Sequence, residues 1–175
     1  LNFLQVCFEI SVQSGTEYIS KEGFDDVEFL ISLNPGEELK PLHAVASGGE
    51  LSRVMLALKT VLADRDKIDT LIFDEIDAGI SGKTAWKVSE KMAVLGKDHQ
   101  VICITHLPQI AAMADEHFVI EKESQDEATR TRIRSLEREE MIREIARLLG
   151  SDTLTETVLQ SAEELKIMAD QTKVY

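Results

Sequence analysis

The sequence has no apolar run approaching the roughly 18–20 residues that a membrane-spanning helix needs, and it carries no internal repeat and no low-complexity tract. Its cysteines are few: Cys7 and Cys103 lack the paired spacing of a metal site. Both sit in apolar, alternating stretches, so they read as buried reduced thiols and point to a reducing, cytoplasmic compartment. Positive charge is scarce as well, with 19 Lys and Arg against 32 Asp and Glu and a formal net charge of −13. That balance excludes a chain that coats nucleic acid by itself, because neutralising phosphates takes a surplus of Lys and Arg. DNA contacts are expected only from a local patch or from elsewhere in a larger protein. At the N-terminus, Leu1 is followed by neither a basic segment nor a small-residue cleavage site. The expectation is a segment excised from a longer protein.

What is present suits one globular domain: 175 residues, 43% apolar and 29% charged. Residues 2–12 alternate in a period of two and predict a half-buried strand, and residues 27–33 predict a second, stopped by Asn34-Pro35-Gly36. After a polar loop, Ser47 caps a helix reaching about Leu62, with Leu51, Val54, Met55, Leu58, Val61 and Leu62 at helical spacing. Residues 69–74 and 100–105 hold the apolar runs Leu71-Ile72-Phe73 and Val101-Ile102-Cys103-Ile104 and predict strands buried on both faces. Between them Ala85, Val88, Met92 and Leu95 mark one face of a helix over 81–95, stopped by Gly96. A short helix begins at Pro108. Residues 117–122 and 129–136 predict a hairpin with Arg130, Arg132 and Arg134 on one face opposite Glu121 and Glu123. Helices over 137–149 and 153–169 close the chain. Strand–helix–strand alternation in the centre predicts an α/β fold with a parallel sheet.

Three places carry chemistry. Ser47-Gly48-Gly49 opens a helix of roughly four turns, where free N–H groups and the helix dipole favour an anion. The bland alternative is an N-cap serine followed by a plain glycine turn. Asp74-Glu75 ends the apolar strand Leu71-Ile72-Phe73, and the carboxyl edge of a parallel sheet is where ligands bind. Asp74 there suits Mg²⁺ held through water, and Glu75 suits orienting or deprotonating an attacking water; the alternative is a solvated strand end. His106 ends the second buried strand and shares that rim if the strands are neighbours. Ser81-Gly82-Lys83-Thr84 imitates the end of a phosphate-binding loop, but Asp77 stands where the first glycine belongs. Ser81 is expected to cap a helix instead, with Lys83 on the exposed face. No other glycine loop with a lysine for the β- and γ-phosphates occurs.

These residues resemble the C-terminal half of an ABC-type P-loop ATPase head, and more narrowly the DNA-repair branch of the structural-maintenance-of-chromosomes (SMC) group. Ala46-Ser47-Gly48-Gly49-Glu50 matches the signature motif, residues 71–75 the Walker B strand, and His106 the switch histidine. The match is close over residues 34–37, 46–57, 73–84 and 104–115 and runs from about Gly23 onward.

The resemblance implies a parallel-sheet lobe lacking the Walker A strand and loop. It would comprise residues 1–46 (strands and loop), 47–122 (signature, Walker B and switch-histidine core) and 123–175 (hairpin strand and terminal helices). It implies ATP and Mg²⁺ as cofactors and a sandwich of two heads. The signature, Ser47, Gly48, Gly49 and Glu50, would contact the nucleotide of the opposing head. Asp74 would hold Mg²⁺ through water, Glu75 would activate the attacking water, and His106 would sense the γ-phosphate. Asp77, Ala78, Gly79 and Ser81 fall in the D-loop region at the dimer interface, and Ser81 replaces that loop's usual aspartate. The implied partners are the N-terminal ATPase lobe of the same protein, a second head and, through the full-length protein, DNA, with no membrane. The implied role is ATP hydrolysis in double-strand-break repair and recombination, in a bacterial, nucleoid-associated setting, with the segment inactive alone. Rival readings are another SMC-type or ABC head, or a scaffold that binds DNA or a partner without hydrolysis.

Overall fold

The computed structural model of the chain describes residues 5–15, 19, 21, 23–44, 47–62, 67–125, 128–150 and 153–173. Residues 2–4 of the first expected strand, and Ala46 at the head of the signature run, lie outside them.

The centre is a strand–helix–strand unit. β4 (Thr70–Phe73) leads through α2 (Gly82–Leu95) to β5 (Gln100–Cys103), and the two strands pair in parallel with Leu71 opposite Val101 and Phe73 opposite Cys103. Period-two alternation sends Leu71 and Phe73 to one side, where they meet Leu56 of α1 (Gly48–Leu62) and Ala85, Val88, Met92 and Leu95 of α2. Each large side chain buried there contributes about 1.5–3 kcal/mol. The α2 face is the one its spacing predicts.

The strands are not covered on both sides, however. Ile72 and Ile102 remain 68% and 44% exposed, because the pair has helices on one face only among the described residues. α1 departs from expectation in the same way. Leu51, Met55, Val61 and Leu62 of its apolar stripe are exposed, while Leu56, off that stripe, is fully buried.

β1 (Cys7–Ser14) and β2 (Asp25–Ser32) form an antiparallel ladder, extended by the two-residue β3 (Lys40–Pro41) and a 3₁₀ turn at Leu42–Ala44, neither of which the sequence suggests. Ile31 and Leu33 dock this ladder on Val54 of α1. Away from that anchor its apolar face lies open: Phe8, Ile10, Val12, Val27 and Phe29 are all exposed, with Phe8 and Phe29 stacked at 5.8 Å. The expected half-burial of β1 is therefore not realised. Cys7 is exposed too, contrary to expectation, since no layer among the described residues covers β1 there. Cys103 is partly buried, and burial with Asp77 and Asp74 nearby pushes its thiol pKa up to about 12, so it is an unreactive thiol.

α3 (Pro108–Met113), α4 (Arg138–Leu148) and α5 (Glu156–Thr172) pack through small residues, Ala112, Ala146, Ala162 and Ala169, around Ile145. Lys166 is buried there and donates to the Ala114 carbonyl and to Asp170. β6 (Phe118–Gln125) and β7 (Ala128–Ser135) form the expected hairpin, with Glu121 opposite Arg132 and Glu123 opposite Arg130. No helix among the described residues is long and apolar enough to cross a membrane.

Candidate functional site

Because β4 and β5 run parallel and in register, Asp74-Glu75 and Thr105-His106 leave the sheet at the same carboxyl edge. The Ile104 N–H donates to the Phe73 carbonyl at 3.1 Å and carries the pairing one step past the strands. Asp74 is exposed, and one carboxylate oxygen accepts the Glu75 N–H at 2.8 Å. Glu75 has φ of 55°, the sole non-glycine residue in the left-handed region among those described. That conformation costs a side-chain-bearing residue about 1–2 kcal/mol. A tight turn holds it, in which the Ala78 N–H donates to the Glu75 carbonyl at 2.9 Å.

The start of α1 presses on this turn. A Cβ on Gly49 would lie 2.8 Å from the Glu75 carbonyl oxygen and 2.9 Å from the Ala78 Cβ, so only glycine admits the helix this close. A Cβ on Gly48 would collide with Oε2 of Glu75, whose carboxylate fills the space a side chain there would take. Two residues that sequence reasoning passed over complete the clamp. The Ser52 hydroxyl donates to the Asp74 carbonyl at 2.9 Å, and the buried Arg53 guanidinium donates to the carbonyls of Ile76 and Ala78 at 3.2 and 2.9 Å. Burial lowers the Arg53 pKa, against an upward pull from Glu50. Arg53 lies off the apolar stripe that the spacing of α1 marks, so the sequence carried no signal for its burial. Ser47 meets the bland expectation as well. Its hydroxyl donates to Glu50 at 2.8 Å and accepts the Glu50 N–H at 3.2 Å, a reciprocal cap.

Asp77 turns inward. It is 4% exposed, and its Oδ2 accepts the Thr105 hydroxyl at 2.6 Å and the His106 N–H at 2.9 Å, while Nδ1 of His106 stands 3.0 Å away. The Thr105 hydroxyl in turn accepts the Leu107 N–H at 3.0 Å, fixing the turn into α3. Ala78, Gly79 and Ser81 are exposed on the far side of the same loop. Ser81 stands at the N-cap position of α2 without a side-chain cap bond, and Lys83 is exposed as expected.

The structure thus gathers Ser47 to Glu50, Asp74, Glu75, Asp77 and His106 around the β4–β5 rim. It does not enclose them. A cleft among the described residues is lined by residues such as Asp26, Phe29, His43 and Leu51 and includes neither Asp74, Glu75 nor His106. Among the described residues no three His, Cys, Asp or Glu side chains converge as a metal cage. A lone exposed carboxylate such as Asp74 suits Mg²⁺, which keeps most of its waters and takes further oxygens from a phosphate substrate.

The architecture defines the class: a mixed α/β unit with acidic and imidazole groups at the carboxyl edge of a parallel pair. No protein-family model matches the chain. It is 51% identical over 163 residues to the DNA repair protein RecN of Treponema pallidum, covering 90% of this chain and 28% of that protein. It is 47% identical over 155 residues to RecN of Bacillus subtilis (89% and 27%), and 45% identical over 162 residues to RecN of Vibrio cholerae (93% and 29%). The chain corresponds to a segment of RecN and spans between a quarter and a third of the length of the curated relatives it matches. Two solved structures overlay on it at 23% identity. One comes from work on ATP-driven dimerization and DNA-stimulated activation of SMC ATPases (TM-score 0.47; 74% of this chain, 76% of that one). The other is an SmcHead bound to the C-winged helix domain of ScpA (TM-score 0.45; 75% and 38%).

Proposed function

We propose that this chain is the C-terminal half of a RecN-type ATPase head, acting in DNA double-strand-break repair and recombination, and that it contributes to two nucleotide sites of a head dimer. Its rim serves the head's own ATP. Asp74 holds a Mg²⁺ water, Glu75 orients and deprotonates the attacking water, and His106 addresses the γ-phosphate. The metal supplies charge neutralisation of the phosphates when bound. The start of α1, where Ser47 and Gly48 are exposed, Glu50 is half-buried and Gly49 is buried against the turn, serves the nucleotide of the opposing head, and the contact between Gly48 and Glu75 makes the two sites neighbours on one surface. Ala78, Gly79 and Ser81 face the second head from the loop between them. The N-terminal lobe of the same protein brings the phosphate loop and covers the open face of β4 and β5. DNA binds to the full-length protein.

The observation that carries this reading is the parallel pairing of β4 with β5, which supports one rim for Asp74, Glu75 and His106. The open character of that rim favours a composite site over one enclosed by this chain. Glu75 and His106 together also speak against a head that has lost hydrolysis.

The test has two arms. The 175-residue chain alone turns over no ATP, and turnover that Glu75→Gln abolishes would overturn the proposal. In the full-length protein, Glu75→Gln lowers kcat by roughly 100-fold or more and stabilises the ATP-bound dimer in size-exclusion chromatography. Ser47→Arg, which sets a bulky cation at the closing interface, abolishes ATP-dependent dimerisation.

A further inference from the structure

A buried carboxylate loses several kcal/mol of hydration and persists only where donors replace the lost water. Asp77 is such a carboxylate, 4% exposed, and the three polar groups facing it all address Oδ2. Two of them, the Thr105 hydroxyl and the His106 N–H, shape the β5–α3 turn. The third is the imidazole of His106 itself, whose side chain is 72% exposed although its Nδ1 is directed inward. In an imidazole the partner of one ring nitrogen decides which tautomer is present and where the other nitrogen points.

We propose that Asp77 is the positioning residue of His106: its carboxylate accepts a hydrogen bond from Nδ1–H, leaving Nε2 as the ring nitrogen that faces outward to a phosphate. This rests on the reading of His106 as the group that addresses the γ-phosphate. Thr105 holds the carboxylate in place from the other side, and a ring whose Nδ1 faces Asp77 can address a phosphate oxygen only through Nε2, which donates when it too carries a proton. Asp77 therefore acts through His106 and does not touch the substrate. This assigns it a different place from the exposed Ala78, Gly79 and Ser81 that follow it.

Two measurements test this. In ¹⁵N-histidine NMR spectra of the 175-residue chain at pH 8, His106 is expected as the Nδ1–H tautomer. Asp77→Ala is expected to shift it to the Nε2–H form, with His43 and His99 unmoved. A wild-type spectrum in which His106 is mostly Nε2–H overturns the proposal, whether or not any variant folds. In the full-length protein, Asp77→Ala is expected to lower kcat to the level of His106→Ala. Asp77→Asn, which keeps the acceptor and loses the charge, is expected to fall between, roughly tenfold below wild type, with the KM for ATP within twofold in each case. If His106→Ala abolishes turnover while Asp77→Ala retains it, Asp77 has no positioning role and the γ-phosphate reading stands. If both variants retain full turnover, that reading is wrong and this proposal falls with it.

Discussion

Ile72 and Phe73 are neighbours on β4 and live in different surroundings. Phe73 is 6% exposed, packed among Leu56, Val88 and Ile76 beneath α1 and α2, whereas Ile72 is 68% exposed beside its cross-strand partner Ile102. One side of the parallel pair is a finished core, and the other is an apolar surface that no described residue covers. The β1–β2 ladder repeats the contrast, with Ile31 buried at its anchored end and Phe8, Ile10 and Val12 exposed along the rest. The finished side holds the rim in place, since the residues that follow Phe73 are set by α1 pressing on them.

If that division is real, the largest effect belongs to the finished side. Phe73→Ala removes a buried ring and leaves a cavity, which costs about 3–5 kcal/mol. Urea unfolding of the chain should give a midpoint lowered accordingly. A loss below about 1 kcal/mol would mean that the core beneath β4 is not packed as described.

Next come the two glycines at the start of α1, which separate folding from chemistry. A Cβ on Gly49 meets backbone atoms, the carbonyls of Glu75 and Ala78, and backbone cannot rotate away. Gly49→Ala should therefore cost about 1–3 kcal/mol, outweighing the ~1 kcal/mol that alanine gains over glycine in a helix. A Cβ on Gly48 meets only the end of the Glu75 side chain, which can turn aside. Gly48→Ala should leave the unfolding midpoint nearly unchanged and still depress turnover in the full-length protein, because it displaces the proposed base. Equal losses of stability for the two substitutions would remove the distinction between a packed turn and a movable carboxylate.

How much of this the sequence discloses follows the range of the interactions. The α2 face of Ala85, Val88, Met92 and Leu95 was legible because a helix repeats its burial every turn against a single neighbour. α1 was legible as a helix but not in its burial. Its apolar surface is wider than the strip that β4, α2 and β2 cover, so Leu51 and Met55 stay exposed while Leu56 is enclosed. Asp74, Glu75 and His106 could be set at strand ends from the sequence, but their sharing one edge depended on β4 and β5 being neighbours, which the pairing of the two strands supplies. The inward turn of Asp77 could not be read, since its partners lie 28 and 29 residues away and exist only once β4 and β5 have paired. Ser52 and Arg53 escaped for the same reason, their acceptors lying 22 to 25 residues on. β3, two residues containing Pro41, is too short for any periodicity to register.

The smallest expected effect lies on the open side and is the most informative about it. Ile72→Ser leaves β4 paired with β5 and removes apolar surface that, in this chain, faces water. In the 175-residue chain its effect on unfolding should stay within about 0.5 kcal/mol, as for other surface positions. In the full-length protein, where the N-terminal lobe is proposed to cover this face, the same substitution removes buried methylene groups and places a hydroxyl in their stead. It should then cost about 1–3 kcal/mol, the price of burying a hydroxyl without a partner. A difference of that size between the two settings identifies the Ile72–Ile102 face as an interior surface of the whole head. Equal, small effects in both would mean that the face stays open in the full-length protein and that the proposed lobe does not cover it.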